Sequence, residues 1–140
     1  MIDRPDQTVL RFVDCLDEGD YGQLVALMTS DAVWHRQGRT LRGRDEILAA
    51  LHERSATQRI RHLVTNLLLR SETPTETAFT HYMTALRHDS GVAVQGPVAI
   101  AGPFRMSLVG TRLVLDGGRW LIAEQAIVAE FEFRPAGAAA

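Results

Sequence analysis

An α+β architecture, with helices gathered at the front of the chain and a curved antiparallel sheet built from the rest, is predicted by three features of this 140-residue sequence. Apolar residues recur at helical spacing in the segments before about residue 58. Beyond that point Leu, Val and aromatic residues dominate short alternating segments. Turn chemistry separates these segments, and helices followed by strands indicate segregated layers, the helices covering one face of the sheet.

Each element has its own justification. Between Pro5 and Leu16 the apolar residues Val9, Phe12, Val13 and Leu16 fall at i, i+3, i+4 and i+7. That is one helical face, with Asp3 as the candidate N-cap and Pro5 in the first turn. Gly19 closes this helix, and Asp20 caps a short second one carrying Leu24, Val25, Leu27 and Met28. Thr29-Ser30-Asp31 breaks it, and Ala32 to Arg36 reads as a strand. Arg42 to Asp45 turns into a third helix with Ile47, Leu48 and Leu51 inward. Strands are then expected at Arg61–Arg70, Thr77–Arg87, Val92–Ile100, Phe104–Leu115 and Trp120–Phe133. Ser71 to Pro74, Asp89-Ser90-Gly91 and Asp116-Gly117-Gly118 separate them, the last two as tight hairpin turns. One domain over residues 1–134 and a flexible tail at 135–140 complete the expected organisation.

Composition narrows the function classes. With 46% hydrophobic and 23% charged residues and a net charge of −2, the chain lacks the basic surplus of a nucleic-acid backbone binder. A single cysteine, Cys15, excludes an internal disulfide and a cysteine-based zinc cluster. No apolar run is long enough to span a membrane, and the first residues lack a signal-peptide core. A reduced, cytoplasmic protein is the expectation. The five histidines show no metal-ligand spacing, and no glycine-rich phosphate loop links a strand to a helix. Neither metal nor cofactor is expected.

Several pieces occur in a telling order: Asp17-Glu18-Gly19-Asp20-Tyr21, Leu24 to Ala32, Leu41 to Ile47, Arg61 to Asn66, and Asp116 to Ile122. Across roughly residues 5–133 the chain resembles the SnoaL-like group of the nuclear-transport-factor-2-like superfamily. The resemblance implies a strongly bent, mixed or antiparallel sheet wrapped around a long N-terminal helix, forming a cone with an apolar pocket. Relatives include polyketide cyclases, steroid isomerases, scytalone dehydratase, and small subunits of ring-hydroxylating dioxygenases. A homodimer or higher homo-oligomer is implied as well. Such a fold leaves the function to the site residues.

Strand parity puts His62, Val64, Asn66 and Leu68 on one face. A neutral imidazole in an apolar cone can take or give a proton near neutral pH, whereas a structural histidine would be hydrogen-bonded under the first helix. His62 falls where dehydratase-like enzymes carry a catalytic histidine. Asp17, at the end of the first helix, falls where they carry the aspartate that orients it; Asp14, one turn earlier, competes. His81 and His88 are seven apart and so lie on opposite faces of one strand. The resemblance gives His88 the place of a second catalytic histidine and turns His81 away.

Trp34, His35 and Arg36 stand where the dehydratase pattern has a water-holding tyrosine. Leu16 replaces a second tyrosine, and Ser107 is the neutral hydrogen-bonding side chain left where that pattern has a late asparagine. These departures point away from scytalone dehydration itself and toward a general His–Asp proton-transfer site. Trp34, His35, Asn66, Tyr82 and Ser107 are the expected substrate-binding residues. The function expected is a cofactor-independent lyase or isomerase acting on a small hydrophobic cyclic or polyketide-like molecule. A ligand-binding or assembly subunit of the same fold is the alternative, and an open or a filled cone discriminates the two.

Overall fold

A computed structural model describes residues 3–134; the tail expected at 135–140 lies outside them. The elements run α1 (Pro5–Glu18), α2 (Tyr21–Ala26), β1 (Met28–Arg36), β2 (Arg39–Arg42), α3 (Gly43–His52), β3 (Arg59–Glu72), β4 (Glu76–His88), β5 (Arg105–Asp116) and β6 (Arg119–Glu132). One open six-stranded sheet has the order β2-β1-β6-β5-β4-β3. All neighbours are antiparallel except β1 and β6, which are parallel, so the sheet is mixed.

The apolar stripe of α1 does what its spacing requires: Val9, Phe12, Val13 and Leu16 are buried against β3 and β6. Gly19 ends the helix with φ at +74°, a conformation glycine adopts without a Cβ penalty, and the Asp20 N–H bonds the Cys15 carbonyl at 2.9 Å. Asp20 caps α2 as expected, accepting from the Gln23 N–H. Asp3 caps nothing. Its carboxylate accepts the Trp120 N–H at 2.6 Å, and with Thr8, whose hydroxyl donates to the Trp120 carbonyl, it fastens α1 to the start of β6.

Other local features differ from the expectation. The second helix ends at Ala26 and the strand begins at Met28, so Thr29-Ser30-Asp31 lies inside β1, at a register irregularity against β6, rather than between helix and strand. Residues 39–42 form β2, a short edge strand too polar to show in an apolar pattern. The stretch Val92–Ile100 is not a strand, and Asp89-Ser90-Gly91 is not a tight hairpin. Residues 89–104 form an exposed connection, punctuated by Gly91, Gly96, Pro97, Gly102 and Pro103, and proline cannot supply the donors a ladder needs. Arg59 holds this connection by donating to the carbonyls of Val94 and Gly96. By contrast, Gly117 and Gly118, both at positive φ, make the expected two-residue turn, with Asp116 opposite Arg119.

Bulges decide which side chains face the helices. On β3 the register shifts between Thr65 and Leu68, where Asn66 takes φ +55°. On β6 it shifts between Ile122 and Glu124, and again between Ala129 and Phe131. Each shift bends its strand and reverses inward and outward positions beyond it. The sheet thus curls around α1 and α3, with the core at Phe12, Leu24, Met28, Trp34, Ile47, Leu51, Leu113 and Ile122.

Candidate active site

Between the concave sheet face and the helices lies an open cavity of about 730 Å³, within the size range of small-molecule sites. His62 enters it from β3, two residues after Ile60 on the inward face. Its Nδ1 lies 2.5 Å from Asp17 Oδ1, and its backbone N–H donates to Asp17 Oδ2 at 2.9 Å. The last turn of α1 therefore holds the histidine at two points with both carboxylate oxygens. The side chains are 9% and 7% exposed, so little solvent competes for these bonds. With the Nδ1 proton given to Asp17, Nε2 keeps its lone pair. Asp14 has no such contact.

Trp34 is also a wall of the cavity. Its Nε1–H donates to Gln125 Oε1 at 3.0 Å, and Gln125 Nε2 donates to the Thr111 hydroxyl at 3.1 Å. This chain crosses β1, β6 and β5 beneath the cavity and satisfies a buried glutamine on both sides. Ser107 is 4% exposed and lines the cavity from β5.

Four expected site residues lie elsewhere. Inward positions on β4 are His81, Met83 and Ala85, so Tyr82 and His88 face outward; His88 is absent from the cavity lining and lines a smaller depression that Asp17 also borders. Asn66 is exposed at the β3 bulge, where its positive φ suits the extra residue. His35 alternates with Trp34 and points out, its Nε2 2.8 Å from Glu124 Oε2 and its Nδ1 beside the Thr40 hydroxyl. His81 is inward but 1% exposed and lies outside the cavity lining. Its Nδ1 contacts the Tyr82 carbonyl, and burial pushes its imidazole below the ordinary histidine range.

The cavity is less apolar than expected. Arg36, Arg39, Arg54, Arg87 and Arg105 all line it, against Glu53 as the lining carboxylate. Burial, then the charge of Arg54, pulls the Arg36 guanidinium down to about 10; it stays charged at neutral pH. Two of these residues carried a readable signal. Arg54 continues the inward stripe of α3 at i+7 from Ile47, and Arg36 shares a strand face with Trp34. Nothing in spacing alone singled out Arg87 or Arg105. Among the described residues no three His, Cys, Asp or Glu side chains converge as metal ligands, and no helix is long and apolar enough to cross a membrane.

A family model described as a SnoaL-like domain matches residues 6–125. No curated protein sequence matches the chain. Among solved structures, a Catenulispora acidiphila protein is 26% identical over 89% of this chain and 87% of its own, with a TM-score of 0.70. ActVI-ORFA of Streptomyces coelicolor is 22% identical over 89% and 96%, with a TM-score of 0.71. A scytalone dehydratase-like protein of Novosphingobium aromaticivorans is 16% identical over 96% and 92%, with a TM-score of 0.74. At those identities the last two show the fold alone, the cystatin-like arrangement named for other neighbours.

Proposed function

The chain belongs to the SnoaL-like domain family, and from that premise we propose that it is a cofactor-independent lyase or isomerase of dehydratase or cyclase type. Its substrate is a small hydrophobic cyclic or polyketide-like molecule. The observation that carries this reading is His62, held by Asp17, at the wall of an open cavity. Asp17 fixes ring orientation and tautomer, so His62 Nε2 is the base that takes a proton next to a substrate carbonyl.

Charge then develops on the carbonyl oxygen and needs donors. Tyr82, His88 and Asn66 face away and cannot serve. Arg105 stands in the same cross-strand row as His62, since His62 pairs with Ala85 and Ala85 with Arg105. Arg105, with the Ser107 hydroxyl beside it on the same strand face, is the donor set for the oxyanion. An open cavity favours chemistry over an assembly subunit, whose cone would be filled.

The test is solvent-deuterium exchange at the α-carbon of bicyclic ketones such as 2-tetralone, followed by NMR. We expect exchange above background, falling by about 10²–10⁴ in His62→Ala. Equal exchange in the two proteins, at equal thermal stability, refutes the assignment.

A further inference from the structure

Arg36 projects into the cavity with its guanidinium carbon 4.5 Å from the Trp34 ring centroid, and no carboxylate pairs with it among the described residues. Arg54 enters from just beyond α3 and is held by neutral groups, the Leu16 carbonyl at 2.8 Å and the Tyr21 hydroxyl at 2.9 Å. The other lining arginines have acidic partners: Arg39 with Glu53, Arg87 with Asp89, and Arg105 with Glu132. Two positive charges are therefore left uncompensated at one part of the cavity, and Arg105 keeps a buried Nε–H without a hydrogen-bond partner.

Partly desolvated like charges cost free energy unless an anion sits between them, and guanidinium groups match a carboxylate in charge and in fork geometry. Leu16, Trp34, Met83 and Phe104 supply apolar wall in the same cavity. We propose that the cavity binds an amphipathic organic carboxylate, its charged end held by Arg36 and Arg54 and its apolar body extending toward His62. Arg36 stands on β1 and His62 on β3, with β6, β5 and β4 between them in the sheet. Arg54 reaches the same space beside the end of α1, through the Leu16 carbonyl, so the arginines and His62 enter one cavity from different elements. This inference rests on the proposed function, because it names the substrate class of that cavity.

The experiment compares 2-naphthoate with its neutral isostere 2-naphthamide, titrated at neutral pH and low salt and followed by calorimetry and tryptophan fluorescence. The wild type is expected to prefer the carboxylate by at least about tenfold, as charged hydrogen bonds allow. Arg36→Met and Arg54→Gln, each checked for folding by circular dichroism, are expected to bring the two affinities together. Either variant suffices if the other fails to fold. Equal affinities in the wild type, binding of neither probe at millimolar concentration, or a preference that survives the substitutions overturns the proposal. His62→Ala separates the two readings. A carboxylate preference kept in that variant supports the anion site whether or not deuterium exchange occurs in the wild type. Exchange without any carboxylate preference leaves His62 as the base and removes the anion site.

Discussion

Replacing Asp17 by Asn is a near-isosteric change with a definite consequence for the imidazole it holds. Asp17 accepts two hydrogen bonds, from the His62 backbone N–H at 2.9 Å and from Nδ1 at 2.5 Å. An asparagine has one acceptor oxygen and one NH₂ group. The backbone N–H cannot change, so it keeps the oxygen, and the amide NH₂ then faces Nδ1. That contact is satisfied only if Nδ1 accepts, which moves the ring proton to Nε2 and removes the base from the cavity. Both original bonds are charge-assisted and shielded, each worth about 1.5–3 kcal/mol. Asp17→Ala, which loses both, is therefore expected to cost roughly 3–6 kcal/mol, or a fall in Tm of about 10–20 °C for a chain of this size. Asp17→Asn keeps two neutral bonds in place of two charge-assisted ones and is expected to cost less, about 2–3 kcal/mol. Long-range ¹⁵N–¹H correlation spectra of the imidazole read the tautomer without any substrate. A pyridine-type Nε2 in the wild type and a protonated Nε2 in Asp17→Asn are expected. The same tautomer in both proteins refutes the orienting role of Asp17.

Gln125→Leu leaves the Trp34 indole N–H, itself fully buried, without its acceptor; a loss of about 1–3 kcal/mol is expected in urea unfolding, and a change below about 0.5 kcal/mol contradicts the hydrogen-bond chain. His81 is held below the ordinary 6.5 by burial, so on acidification the unfolded chain takes up the proton first. Stability from this residue is complete above that value and falls as pH drops, by at most about 1.4 kcal/mol per pH unit. His81→Leu is expected to flatten the stability profile on acidification below about pH 6.5, and parallel profiles for variant and wild type sink the assignment.

The Asp17–His62 geometry shows what a sequence pattern can and cannot carry. Helical spacing from Val9 to Leu16 places the end of α1, and the order of elements carries the family resemblance, so the two residues were nameable as partners before any coordinate. Their contact joins positions 45 apart in the chain, and no local periodicity encodes it. Parity worked where strands run without interruption. Trp34 and Ser107 face the cavity as alternation requires. It failed at Asn66, because one inserted residue at positive φ reverses every side chain beyond it. Tyr82 and His88 went astray differently: the strand was recognised, but which of its faces met the helices was not local information. His35 followed Trp34 by one position and so had to point the other way.

Most element types, the helix stop at Gly19, the glycine hairpin at Gly117 and Gly118 and the candidate base are written in the order of residues along the chain, since these depend on side-chain spacing and local backbone freedom. The cavity's charge arises only on folding. Arg36, Arg54, Arg87 and Arg105 come from four separate segments, and curling the sheet over α1 and α3 converges them on one space. A charge has a partner or lacks one only after distant carboxylates have found their places.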